Sequence, residues 1–196
     1  MVIIAHRRNT IEELLQTPET YGVEIDLRTF NNKLILQHDP FKSGELLEAW
    51  LPHYKHQLLI LNVKEEGLED VLISLMDKYG IRNYFFLDQS FPFLVKYSRA
   101  GYSVCSVRVS EFENVSTALS LKGSVDWVWV DYFTKFPLSK HEAEALLIGG
   151  FKLCLVSPEL QGFNPESEIP KLIGTLESLS IRIDAVCTKR PDLWSN

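Results

Sequence analysis

Three short stretches near the start of the chain hold the residues best suited to chemistry. His6 and Arg7 follow the apolar run VIIA, Glu24 and Asp26 lie two apart in VEIDLR, and His38 and Asp39 close KLILQHD. In an extended strand, residues two apart project to the same face. Glu24 and Asp26 therefore point together and offer two oxygen ligands to one hard cation. A histidine on each side of a metal-bound phosphate can give and take a proton.

These residues need strands to hold them, and the rest of the chain supplies a regular series. Val2 to Ala5, VEIDLR, QLLILNVK, Asn83 to Leu87, Tyr102 to Val107, Val125 to Val130, Phe151 to Val156 and Ile183 to Cys187 read as eight buried strands. KLILQ reads as a hairpin partner or excursion after the Asn31-Asn32 turn. Helical stretches separate the strands: IEELLQ capped by Asn9 or Thr10, GELLEAWLPHY capped by Ser43, Leu68 to Tyr79 stopped by Gly80, and Phe91 to Ala100 stopped by Gly101. Further helices are expected around Asn114 to Leu121, over KHEAEALLI behind Ser139, and within Pro165 to Leu179. Alternation of this kind implies a parallel sheet, and eight repeats favour closure into a compact (β/α)8 TIM barrel spanning residues 1–196 as one domain. An open doubly wound sheet is the alternative, without a Gly-rich phosphate loop to support it. In a barrel the chemistry sits at the C-terminal strand ends. Those ends carry His6, Asp26, Lys64, Asp88, Arg108, Asp131 and Lys189.

Composition narrows the function class. The chain has 196 residues, 45% of them hydrophobic and 23% charged, with a net charge of -6. That balance excludes a general nucleic-acid binder, whose affinity rests on Lys and Arg, but allows a small phosphorylated substrate in a locally basic pocket. Nothing approaches the roughly 20 apolar residues of a membrane span, so no stable membrane insertion is expected. MVIIAHRRNT reads as a strand rather than a leader. The three cysteines, Cys105, Cys154 and Cys187, lack metal-ligand spacing and read as buried small hydrophobes in a reducing, cytoplasmic setting. Oligomeric state is not legible.

The same residues resemble the glycerophosphodiester phosphodiesterases and the wider phosphatidylinositol-phospholipase-C-like superfamily. IAHRR stands for that family's His-Arg-Gly, VEIDLRTF for its Glu-x-Asp strand, LILQHD for its His-Asp, NVK for its Glu-x-Lys, and IDAVCTKRPDLW for its closing Thr-Asp-Arg-Pro. The resemblance implies a (β/α)8 barrel in which Glu24, Asp26 and Asn62 bind a divalent metal, Mg²⁺ or Ca²⁺. His6 and His38 are then general acid and base, and Arg7 and Lys64 hold phosphate oxygens. The implied activity is hydrolysis of a small soluble, glycerophosphodiester-like phosphodiester. Attack by a substrate hydroxyl, releasing a cyclic phosphate as a lyase does, is an alternative. So is a catalytically impaired barrel that binds a phosphorylated ligand.

The chain departs from the family pattern at several points. Asn62 replaces a carboxylate, which keeps an oxygen ligand but removes a charge, and Glu65 or Glu66 could compensate. Arg8 replaces the glycine, so a positive φ there would be unmet. The first loop is short, and no small inserted domain follows His38. Outside the motifs, Asp88, Arg108, Asp131 and Glu159 are placed to line a pocket but read individually as loop residues, and His53, His56 and His141 read as surface. Trp127 and Trp129 share one strand face and read as packing residues.

Overall fold

The computed structural model describes residues 1–195. The elements are β1 (Val2–Ala5), α1 (Ile11–Gln16), β2 (Gly22–Phe30), β3 (Lys33–Leu36), β4 (Glu45–Leu46), α2 (Leu47–Trp50), β5 (Leu59–Val63), α3 (Glu69–Lys78) and β6 (Tyr84–Leu87). Then come α4 (Phe91–Arg99), β7 (Ser106–Val109), α5 (Val115–Leu119), β8 (Trp127–Val130), α6 (Lys140–Ile148), β9 (Lys152–Val156), α7 (Pro165–Leu179) and β10 (Ala185–Thr188). The parallel ladder runs β6-β5-β2-β1-β10-β9-β8-β7, while β3 and β4 extend β2 antiparallel. The two end strands of the curled ladder meet at one parallel bridge, Phe86 to Cys105, supported by Phe86 N–H donating to Val104 O at 2.8 Å. The architecture is thus an α/β fold around a curled mixed sheet. Between β6 and β7, the continuous pairing of an ideal closed barrel is reduced to that bridge.

Two apolar cores follow from strand alternation. One set of strand positions, including Val23, Ile25, Leu27, Leu59, Leu61 and Val63, packs against helix residues such as Leu14, Leu72 and Leu94. The alternate set, including Ile4, Ile60, Phe85, Trp127, Trp129, Cys154 and Cys187, packs within the curl of the sheet. Trp127 stacks on Phe85 with ring centroids 4.6 Å apart. The same parity, carried toward the C-terminal strand ends, puts Glu24, Asp26, Asn62 and Lys64 on the inner face.

Local signals placed most helices. Thr10 and Ser139 each form a capping box, with Glu13 and Glu142 respectively, and Asn114 caps α5. Three expectations are corrected. Ser43 caps nothing: Glu45 and Leu46 pair with β3, and only Leu47 to Trp50 is α-helical before a 3-10 turn containing Pro52. The strand expected at Tyr102 begins at Ser106, so Arg108 lies inside β7 rather than after it. His56 is buried, its Nε2 3.0 Å from Thr17 O, because the segment before β5 is pinned under Tyr54. His53 and His141 are exposed. Cys105, Cys154 and Cys187 are free and buried, as expected. No helix among the described residues is long and apolar enough to cross a membrane.

Two loops on the C-terminal side of the sheet are tied together by Glu111. Its carboxylate accepts from the N–H of Thr134 at 2.6 Å, the N–H of Lys135 at 2.8 Å and the Thr134 hydroxyl at 2.8 Å. Partial burial would raise its pKa, but hydrogen bonds from backbone N–H groups and from Thr134 outweigh that and hold it at about 2. A depressed folded-state pKa contributes stability above the unfolded value and loses it as pH falls through the folded one. Glu111→Gln is therefore expected to cost about 1 kcal/mol at neutral pH, allowing for solvent screening. Between pH 4.5 and about 2 the wild type should converge on the variant. Urea unfolding of both proteins across that range checks this; a gap that persists at the acid end would contradict it.

Candidate functional site

Glu24 and Asp26 lie on the inner face of β2, 1% and 0% exposed. Burying two carboxylates side by side is costly unless donors meet them. Glu24 Oε2 accepts from Arg7 N–H at 2.7 Å and Oε1 from Asn62 Nδ2 at 2.8 Å. Asp26 Oδ2 accepts from Asn9 Nδ2 at 2.9 Å, and Asn9 Oδ1 in return accepts the Asp26 N–H at 2.9 Å. Arg7 Nε stands 3.4 Å from Asp26 Oδ2, and Lys64 Nζ 3.5 Å from Oδ1. Burial, then the charge of Asp26, pushes the Glu24 carboxyl up to about 7.

The short loop after β1 makes this arrangement. Arg7 takes a left-handed φ of 52°, which aims its N–H at Glu24. The positive φ therefore falls on Arg7 and not on Arg8, and the arginine in place of glycine meets no backbone conflict. Arg8 instead continues pairing with β2 through its N–H to Glu24 O at 2.8 Å, while its carbonyl accepts from Trp50 Nε1 at 3.0 Å. His6 is anchored by its N–H to Thr188 O at 3.0 Å, with Nε2 3.9 Å from Glu24 Oε2. Burial first, then Arg7, Lys189, Lys64 and Arg8, push its imidazole down to about 3, so it is neutral at physiological pH.

Of the sequence-selected residues, the structure brings together His6, Arg7, Glu24, Asp26, Asn62 and Lys64. His38 stands apart. It follows Gln37, whose N–H donates to Asp26 O at 3.0 Å, so it lies at the same sheet end. Its side chain is 41% exposed and its Nδ1 is 2.9 Å from Asp39 Oδ1. Among the described residues, its hydrogen bonds and ion pairs do not reach Glu24, Asp26 or His6. Glu65 pairs with Thr29 and Arg28 rather than with this centre.

The sequence placed Asp88, Arg108 and Asp131 where they line a pocket but read each as a separate loop residue; in the structure they form one chain of charges. Lys64 Nζ is 3.2 Å from Asp88 Oδ2; Asp88 pairs with Arg108, whose Nη1 is 3.0 Å from Asp131 Oδ2. Gln161 Nε2 donates to Asp131 Oδ1 at 2.7 Å. The signal available in the sequence was the shared inner parity of Arg108 in β7 and Asp131 directly after β8; Asp88 lies at the opposite parity to Phe85 and Leu87 and follows β6 with a left-handed φ of 59°. A cavity of about 610 Å³ opens beside this chain, walled by Asp88, Phe91, Arg108, Phe112 and Glu113.

The centre can be tested for a divalent cation. Asp26 Oδ1 and Asn62 Oδ1 are buried acceptors without a hydrogen-bond donor, and Asp26 and Asn62 are register neighbours on β2 and β5. With Glu24 they present oxygen donors only, which fits a hard cation. No cluster of three or more His, Cys, Asp or Glu side chains suited to a metal occurs among the described residues, so Asn62 is essential to the fit.

The whole fold has counterparts among solved structures. A glycerophosphodiester phosphodiesterase from Agrobacterium tumefaciens superposes with a TM-score of 0.67 at 14% identity, over 99% of this chain and 98% of that one. A glycerophosphoryl diester phosphodiesterase from Parabacteroides distasonis does so at 0.67 and 16%, over 98% and 84%. No protein-family model and no curated protein sequence matches the chain. The chain is thus similar to the glycerophosphodiester phosphodiesterases in fold along nearly its full length.

Asn62→Asp would set a third carboxylate against Glu24 and Asp26. In chelator it is expected to cost about 2–4 kcal/mol, and Mg²⁺ or Ca²⁺ should recover most of that. Thermal unfolding with and without each ion is the check; wild-type stability in chelator with no response to either ion would contradict this geometry.

Proposed function

We propose that the protein is a metal-dependent phosphodiesterase of the glycerophosphodiester phosphodiesterase kind, built as a (β/α)8 barrel and acting on a small soluble phosphodiester. The observation that carries this reading is the buried Glu24–Asp26 pair flanked by Arg7, Lys64 and His6, at the C-terminal end of a sheet shared with two such enzymes. Three free, buried thiols agree with a cytoplasmic setting.

In this reading Arg7 and Lys64 bind the non-bridging phosphate oxygens and stabilise the charge that builds on them. Neutral His6 takes the proton of the attacking hydroxyl, from water or from the substrate itself. The negative phosphate offsets the surrounding cations and raises the proton affinity of His6 as it binds. His38 protonates the leaving oxygen after turning from Asp39, and the cavity beside Asp88 and Arg108 receives the alcohol. Mg²⁺ or Ca²⁺ held by Glu24, Asp26 and Asn62 would add Lewis-acid stabilisation of the phosphoryl oxygens.

A second reading, phosphate binding without turnover, is favoured by two observations. Asn62 donates an N–H to Glu24 where the family has a carboxylate, and His38 is turned to Asp39. A turnover assay on a nitrophenyl phosphodiester decides between the two. His6→Ala is expected to lower kcat on the order of a hundredfold or more with the fold intact. Lys64→Ala is expected to lower kcat/KM on the order of tenfold to a hundredfold. Wild-type rates in His6→Ala, or no turnover by the wild type with either metal, would sink the enzyme reading.

A further inference from the structure

Two exposed aromatic rings wall the 610 Å³ cavity beside Asp88: Phe112, 78% exposed, and Phe91, 51% exposed. A single apolar side chain in water needs no explanation, but two on one cavity form a surface that a ligand can cover. The volume lies within the roughly 300–1,000 Å³ of pockets that hold drug-sized ligands.

The loop that carries Phe112 is rigidly built. Ser110 and Glu113 exchange backbone hydrogen bonds at 3.2 and 3.3 Å and so close a tight turn. The Ser110 hydroxyl accepts from Phe112 N–H at 3.1 Å and donates to Glu113 Oε2 at 2.7 Å. Glu111, in the same turn, ties it to the N–H groups of Thr134 and Lys135 on the loop after β8. The Phe112 ring packs against Phe133 on that second loop, with centroids 6.0 Å apart. Phe91 is the first residue of α4 and is followed by Pro92. Both phenylalanines therefore stand on constrained backbone, so a ligand meets them without first having to order a loop.

Most polar groups of the wall already have partners. Asp88 pairs with Lys64 and Arg108, and Arg108 with Asp131 as well. The Ser106 hydroxyl donates to Phe86 O at 2.7 Å, and Asn114 Oδ1 accepts from Ser116 N–H at 2.8 Å. The two rings are left to meet a ligand, and aromatic rings pair best with another ring, edge to face or offset. The cavity is also continuous with the polar centre. Asp88 walls it, and Asp88 Oδ2 is 3.2 Å from the Nζ of Lys64.

We propose that this cavity is a leaving-group subsite for a ring-bearing alcohol, with Phe112 and Phe91 as specificity-determining residues, and that the substrate is a phosphodiester of an aromatic alcohol. This deepens the phosphodiesterase reading and rests on its placing of the phosphate at Arg7 and Lys64.

The test uses three glycerol phosphodiesters, of ethanol, 2-phenylethanol and 2-cyclohexylethanol, which share a primary alkoxide leaving group. Each is titrated calorimetrically in Mg²⁺ and in Ca²⁺, and release of the alcohol is followed. The wild type is expected to bind the phenylethyl diester on the order of tenfold to a hundredfold tighter than the ethyl diester. It should bind the cyclohexylethyl diester at least about threefold more weakly than the phenylethyl one. Phe112→Ala and Phe91→Ala should each lower the preference for the ring by about threefold or more, while Phe112→Tyr keeps it. Equal affinity for the ethyl and phenylethyl diesters, or a preference unchanged in both alanine variants, would overturn the subsite. Equal affinity for the two ring compounds would overturn its aromatic selectivity. Selective binding without release of alcohol would retain the subsite and remove the hydrolase reading. Release without selectivity would do the reverse, and binding of none of the three would remove both. Thermal unfolding of each variant checks that it is folded.

Discussion

The burial of two carboxylates on one face of β2 is the constraint around which the site is arranged. Ionised Glu24 and Asp26 repel each other and lose their hydration, so each needs donors fixed by the fold. Glu24 receives a backbone N–H from Arg7 and an amide N–H from Asn62; Asp26 receives the amide of Asn9 and the nearby charges of Arg7 and Lys64. The left-handed backbone of Arg7 follows from this need. A non-glycine residue at φ 52° costs roughly 1–2 kcal/mol, and the N–H it directs at a buried carboxylate offsets that cost. The short loop from His6 to Asn9 is thus a clamp on β2, with three of its four residues donating to Glu24 or Asp26 side chains or backbone.

Charge continues from that clamp around the sheet end. Lys64 joins Asp26 to Asp88, Asp88 joins Arg108, and Arg108 joins Asp131. Each link crosses between neighbouring strands, so the polar network follows the curl of the sheet. It also crosses the seam between β6 and β7, where backbone pairing is thinnest and the cavity of about 610 Å³ opens. There the Asp88–Arg108 pair, together with the Ser106 hydroxyl donating to Phe86 O at 2.7 Å, supplements the single backbone bridge.

A fold shared at 14% and 16% identity is understandable on the same physics. Alternating apolar positions on eight parallel strands can be filled by many residues, provided that both the inner and the helix-facing cores are packed. The polar centre depends on particular donors at particular positions. Asn62 donates to Glu24, where a carboxylate at the same position would repel it.

Much of this was legible locally. Strand alternation put Glu24 with Asp26 on one face, and the candidate caps, Asn9 or Thr10 and then Ser139, marked the starts of α1 and α6 because capping is a contact over three residues. The order of strands and helices indicated a parallel sheet because each repeat must bury one face. What depended on register between distant segments was hidden. That Asn62 gives its nitrogen to Glu24, that Arg108 gathers Asp88 and Asp131, and that His38 turns to Asp39 are decided by which side chains the curl brings within hydrogen-bond range. His56 is buried by a carbonyl 39 residues away in sequence, and Ser43 lost its helix to pairing with β3. Side-chain direction along a strand is a property of the local backbone, whereas the partner of a buried charge is a property of the assembled sheet.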